Sequence, residues 1–342
     1  MAILIRSMGI FFFTLIFFAS CHSNRRLVAD SEMEKIIDDV ALENNFSGVI
    51  LLTKGNDTLY RKAGGFRDLE RQIDLKPNDH FYIGSISKQI TAALILREYE
   101  KGTVRLSDTI DAFLPEINQP WAGEVTIHHL LTHTHGITSL EEPLAFELGS
   151  QFQYSQLGYG LLSQILEKLH GQTFDKISTS FFAELGLNNT FHPNSKKGIS
   201  VVNGYEENEN GEQELATGNP VKHIAAGGFI SNVDDLLRWN QLLHSGQILQ
   251  PKTLALMKTR YSTRQHPIFG PIEYGYGLLF KEGEQNKQIG AFGYVPGFPT
   301  ANYYYPENGV NLVVLVNVAR NLEDFRETFR VHTELMRLAS EL

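Results

Sequence analysis

The segment Phe81–Leu96, FYIGSISKQITAALIL, combines a helical pattern with two side chains that can carry chemistry. Its apolar residues recur at helical spacing, which predicts a buried helix with Ser85 in the first turn. Lys88 follows three residues later, and residues i and i+3 share one face of a helix. The backbone N–H groups of a first turn are unpaired and carry positive partial charge. A hydroxyl, an adjacent amine and unpaired N–H groups are the parts that an acyl-transfer enzyme needs.

The Ser-x-x-Lys spacing is weak evidence on its own, because average composition gives about one such match in a chain of this length. The alternative is a serine at a helix start followed by a solvated lysine. The tetrapeptide alone favours that alternative. Whether Ser85 is a nucleophile therefore has to be judged from the other motifs of the chain.

The composition is that of an ordinary globular protein, with 42% hydrophobic and 20% charged residues. The 342 residues suffice for one large domain or for two lobes with a sizeable core. A net charge of −9 without a basic patch argues against nucleic acid as a partner. Nothing in the sequence predicts an obligate protein partner.

The first 20 residues have the pattern of a signal peptide. Arg6 supplies a positive charge, and Met8–Ala19 is an apolar run that is short for a permanent membrane span. The run ends in Phe18-Ala19-Ser20-Cys21, which resembles the lipobox of bacterial lipoproteins.

Cys21 is the only cysteine in the chain, so it has no disulfide partner. A lone cysteine is usually a small buried hydrophobic residue, but that alternative does not suit the end of a signal peptide. We therefore expect lipidation at Cys21 and a membrane-anchored, exported lipoprotein of the bacterial cell envelope that faces the periplasm.

Predicted strands lie towards both ends of the chain, and helices dominate between them. Residues 47–53 and 58–64 alternate as two strands joined by a turn that contains Gly55 and Asn56. Later strands are predicted at 276–281, 288–292, 301–305 and 310–317. Helices are predicted at 30–45, 127–134, 158–171, 174–185, 233–246, 252–258 and 322–342. The acidic segment 206–219 is predicted to be an exposed loop.

This order of elements predicts one antiparallel sheet assembled from both ends of the chain, with a helical insertion. A cleft between the two parts is where a site is expected. Tyr154, directly before the helix at 158–171, is a second candidate base, because a phenolate near a lysine ammonium accepts protons well. The alternative is a structural tyrosine that packs at the helix start and whose hydroxyl forms a hydrogen bond to water or to the backbone. Considered without the rest of the chain, Tyr154 favours this alternative.

Several motifs in order resemble those of one known family. They are Phe81–Lys88 (FYIGSISK), Thr126–Gly136 (TIHHLLTHTHG), Phe152–Gly160 (FQYSQLGYG), Ala225–Trp239 (AAGGFISNVDDLLRW), Tyr276–Leu279 (YGLL) and Gly290–Phe298 (GAFGYVPGF). The chain resembles the serine β-lactamase-like, penicillin-binding-protein-like serine hydrolases from about residue 30 to 320. That family holds class C β-lactamases, D-alanyl-D-alanine carboxypeptidases and related esterases.

The resemblance implies an α/β (α+β) fold of the β-lactamase/transpeptidase type. Such a fold has an antiparallel sheet flanked by N- and C-terminal helices and an inserted, mainly helical lobe. After removal of the signal peptide 1–20, residues 21–342 would form a single domain. The sheet lobe would comprise about 30–80 and 222–342, and the helical lobe about 81–221.

By the resemblance, Ser85 is the acylated nucleophile, Lys88 its activator and Tyr154 the shared general base. The backbone N–H groups of Ser85 and of Tyr294, just after Gly293, would form the oxyanion hole. The implied substrate is a small molecule or peptide with an amide or ester bond. No metal or other cofactor is required.

Three positions depart from the family pattern. Gln156 replaces the asparagine of the second motif, and its amide keeps the same polar groups one methylene farther out, so we expect the contact with Lys88 to survive. Ala291 replaces the polar residue that opens the third motif, and its methyl group cannot bind a substrate carboxylate. His135 replaces a common serine.

Two other functions remain open from the sequence. The departures at Gln156 and Ala291 also suit a catalytically impaired binding protein that has kept this fold. In addition, His128, His129, His133 and His135 lie close together, and His129 and His133 have the i, i+4 spacing of zinc ligands on a helix. The segment lacks an acidic residue or cysteine that would complete a ligand set, so the zinc site is the weaker alternative.

Overall fold

The structure, a computed structural model, describes residues 32–195, 198–219, 221–281 and 287–342. The predicted signal peptide 1–20 and Cys21 lie outside the described residues. The chain divides into two units, 1–45 and 46–342, and in the first unit a helix, α1, covers 32–43. None of the helices in the described ranges is long and apolar enough to cross a membrane.

The strands and the remaining helices belong to the second unit. In chain order, the strands are β1 (Gly48–Lys54), β2 (Asp57–Gly64), β3 (Phe66–Asp68), β4 (Ile73–Asp74), β5 (Phe81–Tyr82), β6 (Tyr205–Glu207), β7 (Gln213–Leu215), β8 (Ile230–Ser231), β9 (Ser262–His266), β10 (Gly270–Tyr274), β11 (Leu279–Lys281), β12 (Ile289–Val295), β13 (Phe298–Tyr305), β14 (Val310–Val316) and β15 (Val318–Ala319). The helices are α2 (Ser87–Lys101), α3 (Ile127–Thr132), α4 (Gln156–His170), α5 (Phe174–Leu185), α6 (Val233–His244), α7 (Pro251–Lys258), α8 (Phe325–Thr328) and α9 (Arg330–Glu341).

Eight strands form one antiparallel sheet in the order β2-β1-β14-β13-β12-β11-β10-β9. The first long strand pairs with the last, since Gly48 of β1 lies opposite Val316 of β14. The sheet is thus assembled from both ends of the chain, as the sequence predicts. Both strands read as apolar runs because all of β14 and nearly all of β1 are buried.

Helices cover both faces of the sheet at β13. The amides of Asn302 on β13 and Asn240 on α6 exchange two buried hydrogen bonds of 2.8 and 2.9 Å. The hydroxyl of Tyr305 on β13 donates to the carbonyl of Met336 on α9 at 3.0 Å. Residues 302 and 305 point to opposite sides of a strand, so α6 and α9 lie on opposite faces.

One hairpin is missing from the sequence-based prediction, and three predicted elements need correction. The hairpin β9–β10 was not predicted, because its polar sequence is held in the sheet by pairing with β11 rather than by strand propensity. Residues 206–219 contain the hairpin β6–β7 instead of a loop, and β6 also pairs with β15. The predicted strand 276–281 begins only at Leu279, after Gly277 with its positive φ of 73°. The single predicted C-terminal helix is divided at Phe329 into α8 and α9.

Candidate active site

Ser85 lies in a short 3-10 turn, Gly84–Ile86, that leads directly into α2. The sequence predicts Ser85 in the first turn of the helix, whereas the structure places it one turn earlier in tighter geometry. Lys88 is the second residue of α2, and its Nζ lies 3.2 Å from Ser85 Oγ. The i, i+3 relation predicted from the sequence therefore brings the two groups into contact.

Two glycines allow the Ser85 turn to approach strand β12 closely. Gly84 has φ of 52°, and a Cβ atom there would lie 2.4 Å from the backbone nitrogen of Tyr294. A Cβ atom at Gly293 would lie 2.0 Å from the carbonyl oxygen of Ile83. Any larger residue at either position would push the two segments apart. The backbone of Tyr294 consequently lies beside the turn that carries Ser85.

The amine of Lys88 is buried, with 1% of the residue exposed. Besides Ser85, it contacts Gln156 Oε1 at 2.8 Å and the carbonyl oxygen of Ala226 at 2.6 Å. Burial lowers the pKa of Lys88 well below its usual value, and the charge of Arg264 lowers it further. Both effects favour the neutral amine.

The contacts of Lys88 are compatible with a neutral amine. Gln156 Oε1 and the carbonyl oxygen of Ala226 are both acceptors, and a neutral amine has two N–H groups to donate to them. In the structure Nζ also donates to the third partner, Ser85 Oγ, at 3.2 Å. A neutral amine that keeps the first two hydrogen bonds has its lone pair free to accept the Ser85 proton instead. The contact with Gln156 also means that the amide in place of the family asparagine still reaches Lys88.

Tyr154 completes the contacts of the Ser85 hydroxyl. Its own hydroxyl lies 2.5 Å from Ser85 Oγ and donates a hydrogen bond to it. The residue as a whole is 37% exposed, but its hydroxyl end lies among protein groups. That burial raises the pKa of Tyr154 to about 12, against the opposing effects of the Ser85 hydrogen bond and the Arg264 charge. Tyr154 is therefore a neutral phenol at neutral pH.

The ring of Tyr154 is held among the side chains of Lys88, Arg264 and His133. Lys88 Nζ lies 4.5 Å and Arg264 Cζ 5.2 Å from the ring centroid. The ring of His133 lies at a centroid distance of 4.6 Å, and its Nδ1 accepts a hydrogen bond from the Ser155 N–H at 3.1 Å. These contacts fix the phenol beside Ser85.

All six residues that the sequence assigns to catalysis and substrate binding line one cavity of about 240 Å³. They are Ser85, Lys88, Tyr154, Gln156, Gly293 and Tyr294. Ala291 lines it as well and offers only a methyl group. The hydroxyl of Tyr294 donates to Glu206 on β6 at 2.8 Å, so this side chain is engaged with a neighbouring strand.

Three groups at the site were not singled out from the sequence. The carbonyl of Ala226 belongs to a single π-helical turn, Ile224–Gly228, and a backbone carbonyl carries no sequence signal of its role. Thr300 on β13 donates to the carbonyl of Ile83 at 3.0 Å, which ties the Ser85 turn to the sheet. Arg264 belongs to β9, and the polar sequence of this strand does not indicate that it lies beside the site.

The clustered histidines point to different partners. His128 Nδ1 lies 2.8 Å from the hydroxyl of Tyr276, and His129 Nδ1 accepts from the backbone N–H of Thr126 at the start of α3. His135 Nδ1 accepts from the N–H of Ile137 at 2.9 Å. Within the part of the chain that the structure describes, no three His, Cys, Asp or Glu side chains are placed to hold a metal ion.

Comparison with known proteins agrees with the geometry. Residues 33–336 match the family model described as Beta-lactamase. Penicillin-binding protein 4* of Bacillus subtilis (strain 168) is 27% identical over 334 residues, which cover 85% of this chain and 72% of that protein. The octameric penicillin-binding protein homologue from Pyrococcus abyssi has a TM-score of 0.77 at 25% identity, over 90% of this chain and 77% of that one. The D-amino acid amidase from Ochrobactrum anthropi SV3 shares the fold, with a TM-score of 0.70 at 21% identity over 89% and 98% of the two chains.

The family match extends over far more than half of the chain. The large antiparallel sheet with its covering helices confirms the predicted β-lactamase/transpeptidase fold. On these findings the chain is an enzyme, and it belongs to the Beta-lactamase family of serine hydrolases.

Proposed function

We propose that this enzyme hydrolyses an amide or ester through an acyl-enzyme formed on Ser85. The observation that carries the proposal is the contact of one hydroxyl with two proton-transfer groups. Ser85 Oγ lies 3.2 Å from Lys88 Nζ and 2.5 Å from the Tyr154 hydroxyl, inside a cavity. A serine hydroxyl becomes a strong nucleophile when a neighbouring base takes its proton.

Lys88 is the better base in the free enzyme. Burial lowers the pKa of Lys88 and raises that of Tyr154, so both groups favour their neutral forms. Of these two neutral groups, the amine is the far stronger base. We therefore assign the first proton transfer to Lys88 and give Tyr154 the role of proton relay, which refines the general-base role that the family resemblance implies for it.

The reaction then proceeds in two halves. Ser85 Oγ attacks the acyl carbon while its proton moves to Lys88 Nζ, and the backbone N–H groups of Ser85 and Tyr294 stabilise the oxyanion. Tyr154 donates its proton to the leaving amine or alcohol and regains one from Lys88 as the bond to the leaving group breaks. A water molecule next attacks the acyl group, gives its proton to the same relay, and releases the acid from Ser85.

The proposed substrate class rests on the similar proteins. The similar proteins include a penicillin-binding protein and a D-amino acid amidase, so we propose a peptidoglycan-derived fragment, a D-amino peptide or a small ester.

The second candidate function is that of a catalytically impaired binding protein. The residue that favours it is Ala291, whose methyl group replaces the polar residue of the third motif. Gln156 no longer supports it, because this amide keeps a 2.8 Å contact with the Lys88 amine. The arrangement around Ser85 supports the enzyme more strongly than one apolar residue on β12 argues against it.

Replacing Ser85 with alanine tests the nucleophile. We expect the wild-type protein to be labelled by a fluorophosphonate or a fluorescent penicillin, and Ser85→Ala to lose all labelling, because Ser85 Oγ is the hydroxyl that contacts both proton-transfer groups. The measurement is intact-protein mass after incubation, with peptide mapping of the adduct. Ser340→Ala, at an exposed serine of α9, is the matched control and keeps full labelling.

Full labelling of Ser85→Ala would refute the assignment of the nucleophile. If the wild-type protein is not acylated by any member of a broad panel of esters and β-lactams, the binding-protein function is correct instead.

The pH dependence of Ser85 labelling tests which group is the base. We expect the rate at which a fluorophosphonate phosphonylates Ser85 to rise with pH through the lowered pKa of Lys88 and to level off well below 10.5, the usual lysine value. The rate is lost at lower pH because protonated Lys88 has no lone pair. A rate that keeps rising tenfold per pH unit towards 12 would identify the Tyr154 phenolate as the base.

We also propose that the enzyme is exported and anchored to an envelope membrane through a lipid on Cys21. The signal-peptide pattern of residues 1–20 and the position of the only cysteine support this location. In a bacterial host, labelled fatty acid should be incorporated into the wild-type protein, which should partition into detergent. Cys21→Ser should lose both properties. Equal incorporation into the two proteins would contradict the anchor.

A further inference from the structure

Arg264 brings a guanidinium group into the Ser85 cavity. It is the third residue of β9, and its side chain lies on the same face of the sheet as that of His266, two residues later. Both residues line the cavity together with Ser85. The aliphatic stem and head of Arg264 are partly buried beside Phe152 and Tyr154, at 5.4 and 5.2 Å from the ring centroids to Cζ.

No carboxylate balances this charge in the described part of the chain. Arg264 forms no ion pair with any described Asp or Glu, and its buried Nε has no hydrogen-bond partner there. Arg260, four residues earlier, shows the usual arrangement, since its Nε lies 2.9 Å from a carboxylate oxygen of Glu273. A partly buried guanidinium without a counter-ion lowers the stability of the fold. Its five N–H donors can form hydrogen bonds to an anionic acceptor, which would supply the missing counter-charge.

The other polar groups of the cavity cannot take the role of a free cation. The amine of Lys88 already contacts three partners, and burial favours its neutral form. Burial likewise lowers the pKa of His266 to about 3, so its ring is uncharged. Arg264 is therefore the one uncommitted cation among the described residues that line the cavity.

Another part of the cavity wall is apolar. Phe292, Phe325 and Phe329 line it, together with the methyl group of Ala291. Phe292 and Phe329 pack edge to face at a centroid distance of 5.0 Å, which gives a continuous aromatic surface. The cavity thus presents a cation at Arg264 and an apolar wall on β12 and the start of the C-terminal helices.

We propose that Arg264 binds a carboxylate on the leaving group of the substrate, so that the enzyme selects acidic esters or amides over neutral ones. The leaving-group side follows from the stacking of Arg264 on Tyr154, the residue that delivers a proton to the leaving group. This inference rests on the proposed acyl-enzyme reaction. A planar guanidinium can bind a carboxylate with two parallel hydrogen bonds, which gives both affinity and orientation.

Two esters that differ only in charge test the inference. One is 3-carboxyphenyl phenylacetate, and the other is 3-carbamoylphenyl phenylacetate, its neutral counterpart of the same shape. The phenylacetyl group suits the aromatic wall. The readout is the ratio of the two kcat/KM values, each divided by the spontaneous hydrolysis rate of the same ester. Any effect of Arg264 on the pKa of Lys88 acts on both esters and cancels in this ratio.

We expect the wild-type enzyme to prefer the acidic ester by roughly ten- to a hundredfold, the worth of a hydrogen bond to a charged group. Arg264→Gln should bring the ratio close to one. Arg71→Gln removes the same charge from a side chain that is 78% exposed and does not line the cavity, so it should keep the wild-type ratio. If Arg264→Gln does not fold, Arg264→Lys keeps the charge without the two-pronged geometry, and we expect a reduced ratio.

A wild-type ratio near one, or a ratio unchanged in the Arg264 variant, would overturn the inference and leave Arg264 as a purely electrostatic neighbour of Tyr154. In those cases turnover of both esters at Ser85 would still support the acyl-enzyme. Absence of any turnover and of any acylation of Ser85 would instead mean that the proposed function has failed.

Discussion

The buried amine of Lys88 joins three separate segments of the chain. It contacts the turn that carries Ser85, the first residue of α4 and the carbonyl of Ala226 in the π-helical turn. One helical turn later, Thr91 donates to the neighbouring carbonyl of Ala225 at 2.6 Å, so two residues of α2 bind the same turn. An ammonium ion would be costly at this depth, and a neutral amine satisfies the two acceptors while keeping its lone pair for Ser85. The same burial that holds the segments together therefore makes Lys88 a base.

The sheet supports this arrangement from the other side of the cavity. Strand β12 lies against the Ser85 turn because Gly84 and Gly293 leave no Cβ atoms between them. Thr300 on the next strand donates to Ile83 at the start of the turn, and the N–H of Ile83 donates to the carbonyl of Phe229. The position of the nucleophile is thus fixed on one side by backbone contacts with the sheet. On the other side it is fixed by the Lys88 amine, which contacts the helical segments. Such a preorganised site can stabilise developing charge without rearrangement.

Much of the fold could be predicted from local sequence patterns. The apolar runs of β1 and β14, the spacing of α5 and the capped start of α3 at Thr126 all appear in the structure. The residues Ser85, Lys88 and Tyr154 were also found from motifs, and the structure places them in contact. The strand and helix predictions succeeded because each depends on neighbours within a few positions in the sequence. The role of Tyr154 came instead from the family resemblance, since this residue meets Ser85 across 69 positions of the chain.

The missed features depend on contacts that are distant along the chain. Strand β9, Ser-Thr-Arg-Gln-His, has no apolar alternation, and it becomes a strand by pairing with β10 at the edge of the sheet. Only that pairing carries Arg264 to Tyr154, which lies 110 positions earlier. The role of the Ala226 carbonyl likewise arises from the π-helical turn and from the approach of α2. No local pattern marks a backbone oxygen as a partner for a buried amine.

The proposed reaction depends most directly on the protonation state of Lys88. Protein labelled with ¹³C at the lysine ε carbon would report this state by NMR, and the Lys88 signal is the one that disappears in Lys88→Arg. We predict that this signal titrates with a midpoint well below 10.5, the usual lysine value. A Lys88 signal with a midpoint at or above 10.5 would contradict a neutral amine as the base of the Ser85 site.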